Sequence, residues 1–291
     1  MADKPKPASF APFFILLAVI VAMWVFGGGA NINKSSNSVD SSVEIVQTNA
    51  QKQQLQKEAD QAQRIGPISL LNSYFSLQTG NVWGNDPKNE YVEVSVSQDA
   101  PAHTLFTGFE IKSAFTGRGT TMGRGALVPN FGQGNIESSI FLSPGDRVYI
   151  VSGKSPLGYS FRVNKCVGYF SQSQQYNPSL SYNCPAPRDE RLPNFGANNR
   201  NACLNYIESL GNCSLPKLNY ETSISIGPEC VDYVTNNIGY SSCVKNHKDD
   251  SDFYKPEWRI YLNQPETLWQ SSREMIKLLD LNKKTAAYVE Y

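Results

Sequence analysis

Tyr91-Val-Glu-Val-Ser-Val96 alternates apolar and polar side chains, with Val92, Val94 and Val96 at every second position. A period of two puts these valines on one face of an extended chain, as in a half-buried strand. Working outward, Leu105-Phe-Thr-Gly-Phe-Glu-Ile-Lys112 reads as a second strand. Ser143-Pro-Gly-Asp146 is a turn leading into a third, Arg147-Val-Tyr-Ile-Val151. Between them, Gly117 to Gly125 is a glycine-dense connection. Near the end, Glu257-Trp-Arg-Ile-Tyr-Leu262 and Met275-Ile-Lys-Leu-Leu-Asp-Leu281 are strand-like, and Asn282 to Lys284 turn into a last strand, Thr285 to Tyr291. Short strands with regular turn signals predict a mainly β fold of the sandwich type. The 15 tyrosines and 14 phenylalanines, with frequent Asn, Ser and Gly, favour the same class.

The series Glu90 to Val94, Thr107 to Ile111, Leu142 to Ile150 and Ile276 to Tyr288 resembles the lamin-tail domain. That family has a strand of the type EYIEL, a strand carrying an LSGW motif, a Pro-Gly turn before a strand and a closing hairpin. As a whole the chain is also similar to anchored bacterial proteins that carry such a domain. The resemblance implies an immunoglobulin-like β-sandwich with an association role, and it supplies no catalytic residues. Phe109 stands where the family usually has Trp, Lys283-Lys284 replaces a glycine turn, and Ala286-Ala287 replaces an apolar-Asp pair. The expected sandwich occupies residues 67–165 and 256–291, interrupted by a cysteine-rich helical insertion at 166–255.

Ahead of this framework, residues 10–30 run from Phe10 to Ala30 without a charge. A membrane span needs about 20 apolar residues at the helical rise. Lys4 and Lys6 precede the run, and the positive-inside rule then places residues 1–9 in the cytoplasm and the rest outside. A cleaved signal peptide is the rival reading, but its apolar region is shorter than this one. Residues 31–66 read as a polar linker and a stalk helix, since Val43 to Arg64 is rich in Gln, Lys, Glu and Ala and ends at Gly66-Pro67. Leu55, Ala59 and Ala62 are the sparse apolar positions through which the stalk would self-associate weakly.

All six cysteines, Cys166, Cys184, Cys203, Cys213, Cys230 and Cys243, lie in the expected insertion. An even number confined to the outer part of the chain predicts disulfides in an oxidising compartment. No CxxC pair occurs, which removes the usual support for a zinc or thioredoxin-type site. One pattern repeats: Cys203-Leu-Asn-Tyr-Ile207 and Cys230-Val-Asp-Tyr-Val234, each followed by a glycine and a second cysteine. Both read as short helices. Whether each closes on itself or the two are cross-linked is open at this point.

Basic and acidic residues balance at 26 each, so no global field draws the chain to nucleic acid. The two histidines, His103 and His247, sit in polar loops. No metalloprotease, serine-hydrolase or phosphate-loop motif occurs. Asp249, Asp250 and Asp252 are the candidates for calcium, though their spacing is not that of an EF-hand loop, and together with Asp189, Glu190 and Glu257 they would have to converge for hydrolysis. Trp83, Trp258, Trp269 and the tyrosine-rich segment 169–182 are the candidates for stacking on a sugar, with Trp258 patterned as a core residue.

The sequence therefore predicts a single-pass membrane protein with an extracytoplasmic, non-catalytic interaction module. Its partners would be the lipid bilayer, through residues 10–30, and an envelope protein or cell-wall component. No cofactor, metal or nucleic acid is expected. An envelope hydrolase and a glycan-binding module are the alternatives.

Overall fold

The computed structural model describes residues 40–130, 134–196 and 199–291, with side chains from residue 49 onward. The expected span at 10–30 and the tail before it lie outside the described residues, among which no helix is long and apolar enough to cross a membrane. The chain divides into two units, residues 1–59 and 60–291. Of the first, the structure describes only helix. Helix α1, Asp40–Ile65, starts in that unit and ends in the second. Side chains 49–63 are all exposed, Leu55 among them at 59 %, so Gln, Lys, Glu and Ala form a solvated helix. In the second unit the last helical carbonyls find donors: Lys277 Nζ to Arg64 O at 2.8 Å and Thr285 Oγ1 to Ile65 O at 2.6 Å. These groups satisfy acceptors that a helix C-terminus leaves unpaired.

The second unit is rich in sheet. In chain order its strands are β1 Phe75–Thr79, β2 Tyr91–Val96, β3 Thr104–Leu105, β4 Glu110–Ser113 and β5 Gly119–Thr121. They continue with β6 Gly125–Ala126, β7 Glu137–Ser138, β8 Phe141–Leu142, β9 Arg147–Val151 and β10 Ser160–Asn164. β11 Tyr254–Tyr261, β12 Met275–Leu279 and β13 Thr285–Glu290 complete the set. A seven-stranded sheet has the order β1-β2-β9-β11-β10-β6-β7, a four-stranded sheet β13-β12-β4-β5, and β3 pairs with β8. Pairing is antiparallel except at β9–β11 and β10–β6.

One apolar cluster draws on both larger sheets. Val92, Val94, Val148, Ile150, Trp258 and Ile260 come from the first, and Ile111, Ile276, Leu278 and Ala286 from the second. The alternation in Tyr91–Val96 places its three valines in this core as expected. Leu105–Lys112 departs from expectation. It is not one strand, because Gly108 takes φ +92° and Phe109 N bonds back to Phe106 O at 3.0 Å. The resulting tight turn buries Phe106 and Phe109 side by side, with ring centroids 5.1 Å apart. The Gly117–Gly125 stretch is likewise more than a connection: Gly119–Thr121 forms edge strand β5 on β4.

Antiparallel β10 and β11 bracket the cysteine-rich segment, which leaves the sheet after Asn164 and returns at Tyr254. It holds helices α2 Arg200–Ser209, α3 Tyr220–Ile226, α4 Pro228–Asn237 and α5 Tyr240–His247. Alternation along β11 serves two layers. Trp258 and Ile260 enter the shared core, whereas Tyr261 joins Phe161, Val163, Phe170 and Tyr240 in a second cluster beneath the insertion. A third cluster, Phe195, Cys203, Ile207, Ile226, Cys230 and Val234, lies among the helices.

The cysteines pair as Cys166–Cys243, Cys184–Cys213 and Cys203–Cys230, leaving none free. The repeated helices α2 and α4 are thus cross-linked through their leading cysteines. Their trailing cysteines, Cys213 and Cys243, tie back to the start of the insertion. Helices this short are unstable alone, and here covalent links and mutual burial fix them.

Candidate functional site

A roomy cleft with many polar side chains lies where the insertion meets the sheet framework. It encloses about 750 Å³ and is lined from three loops and one strand. Asp86, Lys88 and Asn89 come from the β1–β2 loop, Lys154 and Pro156 from the turn after β9, and Tyr261 from β11. The insertion contributes Ser171, Gln174, Gln175, Tyr176, Asn177, Ser179 and Tyr182.

Local chemistry sets each wall. The Asp86 carboxylate accepts from Lys88 N at 2.9 Å, closing an Asx turn. Gly153 N bonds to Pro87 O at 2.7 Å, and a Cβ at position 153 would lie 2.6 Å from Lys88 N. Only glycine permits the β1–β2 loop to approach the end of β9 so closely. The opposite wall is bracketed by Cys166 and Cys184, each in a disulfide. Asn177 Nδ2 donates to Asn89 O at 2.8 Å and joins the two walls.

Arg259 fastens the insertion from below. Its side chain is only 3 % exposed, packs over the Tyr149 ring at 4.5 Å and pairs with Glu257 at 2.6 Å. Its guanidinium donates to Pro178 O and, at 3.1 Å, to Ser179 O. Delocalised charge and a planar fork of donors suit arginine to this buried multidentate role.

Two features of the cleft are chemically unspent. The ammonium groups of Lys88 and Lys154 have no hydrogen-bonding or ionic partner among the described residues. The hydroxyls of Tyr176 and Tyr261 are buried and lack a partner among those residues. Burial pushes both phenols well above their ordinary range, so they are neutral and able to donate. An unpaired buried hydroxyl costs about 1–3 kcal/mol.

The carboxylates considered for hydrolysis do not meet in this cleft. Glu190 and Asp250 hold opposite nitrogens of His247, Oε1 to Nε2 at 2.7 Å and Oδ2 to Nδ1 at 2.8 Å. Partial burial works against the imidazolium, but the two carboxylates outweigh it and raise the His247 pKa. The crevice beside Glu190 encloses about 10 Å³, room for no more than a water. Asp250 and Asp252 pair with Lys165 at 2.9 and 2.6 Å. Asp189 and Asp249 are exposed, and Glu257 serves Arg259. No group of three or more metal-binding side chains occurs among the described residues. His103 is an exposed turn residue with φ +55°.

Trp258 and Trp269 are buried at 1 % and 6 % exposure, which removes them as stacking surfaces. Trp83 is exposed but lies edge-on to Tyr291 at 6.3 Å. Tyr182, 48 % exposed, is the aromatic of segment 169–182 that offers its ring to the cleft rim. Neither Arg259 nor the loop lysines stood out in the sequence. Arg259 occupies an ordinary strand position, and the lysines are two among many.

No family model, curated protein or solved structure matches the chain.

Proposed function

We propose that this chain is a membrane-anchored, extracytoplasmic, non-catalytic interaction module. In this reading residues 10–30 cross the bilayer, α1 is the stalk, and the unit beyond it presents a binding face to an envelope protein or cell-wall component. The observation that carries the reading is the pairing of all six cysteines in three disulfides, which suits an oxidising compartment. The uncharged run at 10–30 supports the anchor. We read the two sheets around one core as an immunoglobulin-like sandwich of the lamin-tail type, into which the cysteine-rich segment is inserted between β10 and β11. An association role accords with the cleft, whose free groups are suited to binding and include no nucleophile–base pair.

Topology tests this reading. Intact cells treated with a membrane-impermeant amine reagent should show labelled lysines beyond residue 30, with Lys4 and Lys6 labelled only after lysis. Labelling of Lys4 and Lys6 in intact cells, or protection of the later lysines, would overturn it.

A further inference from the structure

We infer that the cleft between the β1–β2 loop and the insertion binds an acidic saccharide. The inference rests on the extracytoplasmic reading and names the ligand class of its binding face. Three observations carry it. The first is charge. Lys88 and Lys154 both line the cleft, and Gly153 lets the loop backbone at Lys88 abut the end of β9 next to Lys154. Neither ammonium has a counterion among the described residues, while the nearby Asp86 carboxylate is taken up by Lys88 N and Asn89 Nδ2. Two cations on the walls of one cleft favour an anion between them. A carboxylate on a ligand supplies that anion.

The second observation is the neutral lining. Gln174, Gln175, Asn177, Ser171 and Ser179 present amides and hydroxyls, which donate and accept in the manner a polyhydroxylated ring requires. Tyr182 offers an aromatic face to the C–H side of such a ring. A peptide would call for a row of apolar subsites or an open strand edge; the apolar part of this lining is instead Pro156 and the rings of Tyr176, Tyr182 and Tyr261, surfaces on which the C–H face of a sugar packs. The third observation is the pair of orphaned phenols. Tyr176 and Tyr261 are 9 % and 7 % exposed and keep their hydroxyls unpaired in the cleft lining. Both oxygens are closed off as they stand, and a small outward turn of each ring lets a sugar hydroxyl complete it.

The test uses the full chain in micelles of a sugar-free detergent. Titration with tetragalacturonate should give saturable binding, with the neutral chitotetraose at least tenfold weaker. Replacing both lysines (Lys88→Gln, Lys154→Gln) should weaken tetragalacturonate at least about tenfold, since each desolvated charge contact is lost. Tyr261→Phe should weaken it about three- to tenfold, as expected for one hydrogen bond. That substitution breaks no bond within the chain, so a folding defect is not a competing explanation. Lys57→Gln, on the exposed face of α1, should leave binding unchanged.

Absence of binding at millimolar tetragalacturonate would overturn the inference, as would affinity unaffected by the lysine pair. Equal or tighter binding of hexaglutamate would overturn it in favour of an acidic peptide. The extracytoplasmic reading is judged separately by the thiol count of the same preparation. A fully oxidised protein that binds no saccharide leaves that reading standing and removes this one.

Discussion

Replacing Cys166 and Cys243 by alanine cuts the link between the first and last parts of the insertion. The cost follows from the covalent path. Taken alone, the bond closes a loop with a sequence separation of 77, which the chain-entropy model values at about 4.5 kcal/mol. The other two bonds already shorten that loop. The shortest path runs from Cys166 to Cys184, across to Cys213, back to Cys203, across to Cys230 and on to Cys243. It is about 41 residues long, so the loss falls to about 4 kcal/mol. Both residues are also buried, at 0 % and 6 % exposure, and alanine leaves a small void there. The assay is urea denaturation of the full chain in micelles, followed by the fluorescence of the buried Trp258 and Trp269. A loss of about 4 kcal/mol agrees with the account. A loss below about 1 kcal/mol, or a difference of the same size between wild type and variant after both are fully reduced, would refute the claim that this bond constrains the unfolded chain.

Other outcomes follow from the same contacts. Arg259→Met removes the donors to Pro178 and Ser179 and leaves Glu257 without its partner; a loss of about 3 kcal/mol is expected, with new protease sensitivity near residues 171–182. Gly153→Ala drives a methyl group into the backbone at Lys88 and should cost about 1–3 kcal/mol, with cleavage in the β1–β2 loop under limited proteolysis. His247 has its pKa raised in the folded state, so its protonation stabilises the fold fully below the unfolded value, about 6.5. That contribution disappears as pH rises through the folded pKa. Stability measured from pH 5 to 9 should therefore fall across this window in wild type and be flatter in His247→Gln. Asp280 has the opposite sign. Burial opposes its charge, but Ser69 and the amides of Asn282 and Lys284 lower its pKa. Its contribution is present above the unfolded value and lost as pH falls through the folded one, which Asp280→Asn should abolish.

What the sequence made legible was local. Period-two alternation located β2 and β9 to the residue, since each pairs within a sheet whose inner face is apolar. Helix-forming composition located α1, and the repeated Cys-apolar-Asx-Tyr pattern located α2 and α4. The break between β3 and β4 was hidden, because a lone Gly108 within an apolar run does not reveal its positive φ until Phe106 and Phe109 are seen sharing one core. Disulfide pairing was hidden for a different reason. The trailing cysteines pair with residues far along the chain, so spacing carries no information about them. The cleft was least legible of all. Its residues come from positions 86–89, 154–156, 171–182 and 261, and they meet only through the β2–β9 pairing, the Gly153–Pro87 contact and the β10–β11 bracket.

If the unit beyond α1 matures in an oxidising compartment, as proposed, all its cysteines are spent in disulfides, and a thiol count decides the matter. Protein extracted from its native cells under denaturing alkylation, then weighed intact, should carry no alkyl groups before reduction and six after it. Six alkyl groups before reduction would contradict the disulfide framework and, with it, the extracytoplasmic account.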